Sequence, residues 1–198
     1  MNQDVLIPRP ETELLVELVL TEARTARRQF AHALDVGTGS GVILLSLLAE
    51  GGAREGTAVD ISPRALRIAL QNSRNLRLHH RCRFVLSDRF ENVPGAFDLI
   101  VSNPPYIKAS AHRGLVQRTV DEFEPPLALY LDDGDYEAWF QKFFHGVRGH
   151  LAPGGLFFME GHELELASQA GQLAGLGFKN VSVLKDLAGR DRFLKAMI

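Results

Sequence analysis

The sequence predicts an α/β fold built around a mostly parallel sheet. Short apolar strands alternate with longer amphipathic segments along most of the 198 residues, a pattern typical of βαβ units. A glycine-rich turn joins the first of these strands to a helix, and two apolar strands follow one another near the carboxyl terminus. This last pair predicts an antiparallel edge strand, so we expect seven strands in a three-layer sandwich.

Size and composition fit one folded domain, which we expect to span residues 1–198. Hydrophobic residues make up 45% and charged residues 23%, which excludes a disordered chain. The formal net charge of −2 gives no cationic field for non-specific binding to nucleic acid or membranes. Cys82 is the only cysteine, which excludes an internal disulfide. The first residues lack the pattern of a signal peptide, so we expect a cytoplasmic protein.

The elements are predicted in chain order from apolar periodicity and from turn residues. Apolar positions over 14–19 predict a helix that begins near Glu11 or Thr12, after a segment that two prolines hold extended. Strands are predicted at 33–36, 57–60, 83–86, 97–101, 156–160, 181–184 and 192–196. Helices are predicted at 42–49, 63–75, 136–150 and 164–174. Pro153, Gly154 and Gly155 are expected to separate helix 136–150 from its strand, and 107–135 is expected to be a long irregular insertion.

The turn after the first strand reads DVGTGSG over residues 35–41. Glycine at such a bend lets a ligand touch the backbone. A dinucleotide fingerprint requires glycine where Val42 stands, and the Lys-Ser or Lys-Thr pair of a phosphate-binding loop is absent. The spacing resembles motif I of class I S-adenosylmethionine-dependent methyltransferases, which have a Rossmann-like fold. The resemblance implies that the turn contacts this cofactor through Gly37, Thr38, Gly39, Ser40 and Gly41.

Two aspartates lie at the carboxyl ends of the next two predicted strands. Asp60 ends the second strand, where a carboxylate can accept hydrogen bonds from both hydroxyls of a ribose. Its alternative role is to cap the following helix, for which Ser62 is the stronger candidate. Asp88 follows the third strand, where related methyltransferases place an acid near the adenine amino group. A turn-forming aspartate is the alternative there.

Residues 103–106 read Asn-Pro-Pro-Tyr and directly follow the strand at 97–101. Pro104 and Pro105 stiffen the chain and remove backbone donors, which leaves the carbonyl groups and the Asn103 amide available to a ligand. An amide both donates and accepts, which suits a planar target that carries an NH2 group. Tyr106 can cover the flat face of that target. A proline-rich turn without a ligand is the alternative.

This tetrapeptide is the signature of methyltransferases that act on the nitrogen of a planar amino group, in a glutamine amide or in adenine and cytosine. Three further stretches resemble the HemK/PrmC family of protein-(glutamine-N5) methyltransferases: IPRPETE over 7–13, FEPPLAL over 123–129 and EGH over 160–162. The resemblance runs from about Val5 to the carboxyl end. It implies an enzyme that uses S-adenosylmethionine to methylate the Gly-Gly-Gln glutamine of a peptide chain release factor.

The sequence departs from the family in two places. The family carries a helical substrate-binding domain ahead of the IPRPETE segment, and we expect the catalytic domain alone here. The family usually has an aromatic residue against the adenine where Arg89 stands, and a guanidinium can also stack on a base.

Arg9 is expected at the entrance to the substrate cleft, whereas Glu124 and Glu160 are expected to be structural. The histidines lack metal-ligand spacing, so no metal site is expected.

The expected chemistry is direct attack of the glutamine amide nitrogen on the sulfonium methyl. Two oxygens would accept hydrogen bonds from the substrate NH2: the side-chain carbonyl of Asn103 and the backbone carbonyl of Pro104. Asn103 is also expected beside the cofactor.

An adenine-N6 methyltransferase of DNA or RNA remains an alternative, against which the net charge weighs modestly. A glutamine methyltransferase of a ribosomal protein is a second alternative. A non-catalytic nucleotide-binding module or an NAD-linked dehydrogenase is a third, and the missing third glycine disfavours it.

Overall fold

The computed structural model describes residues 5–116, 121 and 124–198, and in these residues helices cover both faces of one seven-stranded sheet. Short 3-10 turns span His79–Arg81 and Arg113–Leu115. The described part of the chain has no helix of the length and hydropathy that crossing a bilayer requires. The helices and strands are α1 (Pro10–Thr25), β1 (Phe30–Val36), α2 (Val42–Ala49), β2 (Ala53–Asp60), α3 (Pro63–Asn75), β3 (Cys82–Leu86), β4 (Phe97–Ser102), β5 (Ile107–Lys108), α4 (Pro126–Leu129), β6 (Tyr130–Leu131), α5 (Tyr136–His150), β7 (Leu151–Glu160), α6 (Leu166–Gly175), β8 (Lys179–Lys185) and β9 (Asp191–Met197).

The strands of the large sheet lie in the order β3-β2-β1-β4-β7-β9-β8. Five neighbouring strands of this sheet, β3, β2, β1, β4 and β7, are parallel to one another. Strand β9 runs antiparallel to both of its neighbours, β7 and β8. The predicted fold class is therefore confirmed. The antiparallel pairing involves the last two strands, with β9 lying inside the outermost strand β8.

Two separate cores pack against the two faces of the sheet because successive strand residues point to opposite sides. Ala33 and Leu99 face the core that α1 and α2 cover, while Leu34 and Ile100 face the core that α5 and α6 cover. All four of these side chains are fully buried. This burial on both faces explains why the central strands appear in the sequence as short, continuous apolar runs.

The predicted boundary between helix 136–150 and the strand that follows it is wrong. Pro153, Gly154 and Gly155 do not precede the strand, because β7 already begins at Leu151, directly after α5. The β4–β7 register moves from Phe97 opposite Leu151 to Leu99 opposite Leu156, so the intervening residues form a bulge. A bulge tolerates a proline, which has no N–H for the ladder, and a glycine at φ +73°, the value at Gly154.

The predicted irregular insertion contains short elements of its own. Strands β5 and β6 pair in parallel through Ile107 and Tyr130, and the single helical turn α4 immediately precedes β6. Residues 117–120, 122 and 123 of this insertion lie outside the described residues. The pairing brings both ends of the insertion to the same place beside the large sheet.

Strands β1 and β4 are neighbours in the sheet although β2 and β3 lie between them in the chain. The Ser102 hydroxyl at the end of β4 donates a hydrogen bond to the Val36 carbonyl at the end of β1, at 2.7 Å. The chain order reverses between these two strands, and α/β proteins bind ligands in the crevice outside the carboxyl ends of strands at such a point. The topology therefore places the functional site beyond Val36 and Ser102.

Candidate active site

A cavity lies at this crevice, beyond the carboxyl ends of the four strands β1 to β4. Most of the site residues predicted from the sequence contribute to its wall, although they come from four separate turns. Three predicted residues, Arg9, Gly41 and Tyr106, are not part of the wall. The predicted residues that line the cavity are Gly37, Thr38, Gly39, Ser40, Asp60, Asp88, Arg89, Asn103, Pro104 and Pro105.

The glycine turn uses its glycines for two different purposes. The amides of Gly37 and Thr38 donate hydrogen bonds to the Val59 carbonyl at 2.8 and 2.9 Å, with Gly37 at φ +75°. This left-handed conformation favours glycine and turns the chain across the end of β2. A Cβ at Gly41 would lie 3.2 Å from the Cβ of Ala69, so this glycine permits the close packing of α2 on α3 rather than contact with a ligand.

Asp60 holds the turn in place and also faces the cavity. Its Oδ2 accepts a hydrogen bond from the Gly39 amide at 2.9 Å, and its Oδ1 accepts one from the Ser62 amide at 2.8 Å. Ser62 Oγ accepts from the Ala65 amide and caps α3, as the sequence favoured. Burial raises the pKa of Asp60, and the two amides act in the opposite direction.

Asp35 is the most buried carboxyl group at the site. It has no exposed surface, and its Oδ2 accepts a hydrogen bond from the Thr38 hydroxyl at 2.7 Å. Its Oδ1 is buried and has no hydrogen-bond partner among the described residues. This burial raises the pKa of Asp35 to about 7, and the Asp60 carboxyl adds to the shift.

The raised pKa of Asp35 predicts a pH-dependent effect of Asp35→Asn. The folded carboxyl releases its proton near pH 7 and the unfolded one near pH 4, so between these values the folded state binds more protons and the stability of the wild type falls with pH. Relative to the variant, the free energy of unfolding should fall by about 1.4 kcal/mol per pH unit. Urea unfolding of both proteins from about pH 5 to about 6.5 measures this difference, and parallel curves over that range would contradict it.

The far end of the cavity combines a cation with aromatic rings. Arg89 donates from Nε and Nη2 to the two carboxylate oxygens of Asp88, at 2.9 and 2.8 Å. Its guanidinium carbon lies 5.3 Å from the ring centroid of Trp139, which also lines the cavity together with Phe143. Arg89 Nη1 is buried without a hydrogen-bond partner in the described chain. This end therefore offers a flat surface and an unused donor to a ring with acceptor nitrogens.

A chain of hydrogen bonds through two buried residues and one partly buried residue holds the Asn103 amide on the side away from the cavity. Asn103 Nδ2 donates to Thr12 Oγ1 at 3.0 Å, and Thr12 Oγ1 donates to Glu160 Oε2 at 2.9 Å. Tyr106 OH donates to the other oxygen, Glu160 Oε1, at 2.9 Å. We call Thr12, Glu160 and Tyr106 the carboxylate network. No described residue donates to Asn103 Oδ1, so the acceptor end of the amide remains available at the cavity wall.

Burial dominates the electrostatics of the carboxylate network. Glu160 is 1% exposed, and burial raises its pKa while the hydrogen bonds from Tyr106 and Thr12 oppose the shift. The pKa of Tyr106 is raised well above its usual value, first by burial and then by the charge of Glu160. Tyr106 therefore contacts Glu160 and does not contribute to the cavity wall, whereas the sequence predicts that it covers the flat face of the substrate.

Arg9 is also placed away from the cavity wall. Its guanidinium forms an ion pair with the carboxylate of Glu124, whose side chain is 5% exposed. The pair fastens the segment before α1 to the insertion, and both contribute to the cavity wall. The wall residues in these two segments have no local signal in the sequence, because their position depends on contacts between distant parts of the chain. They are Val5, Leu6, Pro8, Pro125, Leu127, Ala128, Tyr130 and Leu131.

Comparison with known proteins gives the family. The methyltransferase small domain family matches residues 10–129. The release factor glutamine methyltransferase of Cereibacter sphaeroides is 42% identical over 198 residues, which cover 100% of this chain and 68% of that protein. The chain belongs to the release factor glutamine methyltransferase family. Relatives of this name from Rhodospirillum rubrum and Bordetella pertussis are 40% and 41% identical, over 99% and 97% of this chain and 59% and 69% of their own lengths.

Solved structures agree on the fold of the family. The ribosomal protein L11 methylase of Lactobacillus delbrueckii has a TM-score of 0.69 at 22% identity, over 97% of this chain and 80% of that one. The T. thermophilus 16S rRNA N2 G1207 methyltransferase, solved with AdoMet and guanosine, has a TM-score of 0.71 at 21% identity, over 96% of this chain and 43% of that one. These similarities confirm the predicted class I methyltransferase fold.

Family membership makes the chain an enzyme whose methyl donor is S-adenosylmethionine, and the cavity fits this cofactor. A carboxylate at Asp60 suits a ribose, because ionised oxygens accept hydrogen bonds from hydroxyl groups. Arg89 Nη1, for which the described residues supply no acceptor, and the ring of Trp139 suit an adenine. A Cβ at Gly39 would meet no atom within 4 Å, so the turn leaves open space at the cavity.

Proposed function

We propose that this enzyme methylates the side-chain amide nitrogen of a glutamine in a peptide chain release factor, at its Gly-Gly-Gln motif. The observation that carries the proposal is the fixed amide of Asn103, whose nitrogen donates to Thr12 and whose oxygen accepts no hydrogen bond from a described residue. An acceptor held in this way matches a substrate that offers N–H groups. The relatives are named as release factor glutamine methyltransferases, which supports the release factor as substrate. These relatives are longer than this chain, which covers 59% to 69% of their lengths.

The cofactor is proposed to lie along the ends of β1, β2 and β3. Asp60 would hold the ribose, Asp88 and Arg89 the adenine, and the backbone of residues 37–41 the amino acid portion. When bound, S-adenosylmethionine supplies an electrophilic methyl group on a sulfonium. The Asn-Pro-Pro-Tyr turn lies beside this path because β4 is the neighbour of β1.

The substrate amide is proposed to be held by two oxygen acceptors. Asn103 Oδ1 and the Pro104 carbonyl each accept one N–H of the glutamine, and no described residue donates to either oxygen. An amide nitrogen is a poor nucleophile, since its lone pair is delocalised into the carbonyl, so orientation carries much of the rate. As the new N–CH3 bond forms, the methyl–sulfur bond would break and leave S-adenosylhomocysteine. Positive charge develops on the nitrogen during this attack, so the two oxygens bind the transition state more strongly than the ground state, and the nitrogen then releases one proton to water.

A transfer assay with labelled S-adenosylmethionine tests this function. The enzyme is incubated separately with a release factor, with the same factor carrying Gln→Ala in Gly-Gly-Gln, with a ribosomal protein and with RNA. We expect label in the release factor, with loss of the label in the Gln→Ala factor. Label in RNA or in the ribosomal protein, with an unlabelled release factor, would overturn the proposal.

A further inference from the structure

We propose that Glu160, acting through Thr12, fixes which end of the Asn103 side-chain amide faces the substrate. Glu160 and Thr12 are positioning residues in this proposal, because neither is placed against the reacting atoms. The inference rests on the proposed function, in which Asn103 Oδ1 accepts a hydrogen bond from the glutamine. It gives a specific task to the IPRPETE and EGH segments, which carry Thr12 and Glu160.

An asparagine side chain needs such a constraint because its two ends have nearly the same shape. A half-turn of the amide replaces an acceptor oxygen with an NH2 group that carries two donors. Packing alone distinguishes these orientations weakly, whereas hydrogen-bond partners distinguish them strongly. An Asn103 that presented its NH2 group would face the substrate NH2 with donors and would lose the proposed contact.

The carboxylate network allows only one direction of hydrogen bonding. An ionised carboxylate accepts and cannot donate, so the hydroxyls of Tyr106 and Thr12 must both point their hydrogens at Glu160, each at 2.9 Å. Thr12 thereby uses its single hydrogen. The remaining lone pairs of Thr12 Oγ1 can only accept, and only the NH2 end of Asn103 can donate to them, at 3.0 Å. Asn103 Oδ1 is therefore directed to the cavity.

Burial makes this constraint strong. Glu160 is 1% exposed and Thr12 is 4% exposed, so water cannot readily replace either partner. Hydrogen bonds to a charged group strengthen when the surroundings exclude water, and leaving one unmade is costly. Arg192, which donates to the Gly161 carbonyl next to Glu160, places a compensating positive charge nearby. The three linked groups come from the start of α1, the end of β7 and the turn after β4.

Two isosteric substitutions test the proposal. Thr12→Val removes the hydroxyl at nearly constant shape, and Thr12→Ser keeps it. Glu160→Gln introduces an NH2 donor, so Thr12 can reverse its hydrogen bond and point its hydrogen at Asn103. We expect Thr12→Val and Glu160→Gln each to lower kcat by about 10- to 100-fold, the effect of one hydrogen bond in a charged network, with the Kd for S-adenosylhomocysteine unchanged. Thr12→Ser should restore most of kcat.

A competition experiment separates amide direction from simple structural support. A release factor with Gln→Glu offers acceptors only, so the wild-type enzyme should bind it no better than the Gln→Ala factor. In Thr12→Val and Glu160→Gln, Asn103 is free to turn its NH2 group to the cavity. We expect these variants to bind the Gln→Glu factor about tenfold more tightly than the Gln→Ala factor, measured as inhibition constants.

The outcomes are distinguishable from a failure of the proposed function. Unchanged kcat in Thr12→Val and Glu160→Gln, or lowered kcat with no preference for the Gln→Glu factor, overturns the assignment of amide direction to the network. In either case an inactive Asn103→Ala enzyme leaves the proposed function intact. An active Asn103→Ala enzyme removes the role of Asn103 and with it this inference, whereas the proposed function fails only if the release factor stays unlabelled in the transfer assay. Thermal unfolding of each variant confirms that the assay temperature lies below its Tm.

Discussion

Replacement of Asn103 by alanine is expected to lower kcat by about 10²- to 10³-fold, a loss typical of removing one hydrogen-bonding group that stabilises a transition state. The variant loses the Oδ1 acceptor that faces the cavity, and Thr12 loses the donor that it binds. The glycine turn and Asp60 are untouched, so the Kd for S-adenosylhomocysteine should change little. Single-turnover methylation and calorimetric titration measure the two quantities separately.

Asn75→Ala provides the control for this substitution. Asn75 is exposed at the end of α3, where its side chain accepts a hydrogen bond from Gln71. Its replacement should leave turnover at the wild-type level. An Asn103→Ala enzyme with normal turnover and weakened cofactor binding would show that Asn103 belongs to the cofactor site alone.

Replacement of Phe144 by alanine is expected to lower the free energy of unfolding by about 3 to 5 kcal/mol. Phe144 is fully buried on α5, and its ring centroid lies 5.7 Å from that of Phe140 and 6.3 Å from that of Phe157. The cavity left by the ring would remain lined by aromatic side chains that cannot collapse into it. Urea unfolding of the variant gives the value, and a loss below about 1 kcal/mol would mean that the core repacks.

His145→Ala provides the control for stability. His145 is the next residue of α5 and its side chain is exposed. The substitution changes the same helix without opening a cavity, so the free energy of unfolding should stay within about 0.5 kcal/mol of the wild type. The contrast between the two positions isolates the contribution of the aromatic core.

The order and type of the elements could be predicted because they depend on local patterns. The predictions of α2, α3 and α5 agree with the structure at both ends, since apolar spacing, a capping Ser62 and nearby prolines or glycines define them. Strand β1 begins earlier than predicted, at Phe30. The amides of Ala31 and His32 bind the Asp98 carboxylate at 2.7 and 2.8 Å, and a partner so distant in sequence leaves no local signal.

The site shows the same division between local and distant information. The glycine turn, Asp60 and Asn103 could be found from the sequence because their chemistry depends on short spacings at strand ends. Thr12 could not be given a role, since its function depends on meeting Glu160 across 148 positions of the chain. Trp139 was likewise missed, because an aromatic residue in an amphipathic helix is indistinguishable from a core residue until the helix is placed.

The position of β9 in the sheet has a consequence for how the chain acquires its structure. Strand β8 precedes β9 in the chain but has no place beside β7, because β9 lies between them. During synthesis β8 emerges before the strand that must separate it from β7, so the two have to dock together as a hairpin. The pairs that join β9 to β7, such as Glu160 with Phe193, lie closer in sequence than the pairs that join β1 to β4, such as Ala33 with Leu99. Strands β1 to β4, which surround the cavity, are therefore all synthesised before β8 and β9 can complete the sheet.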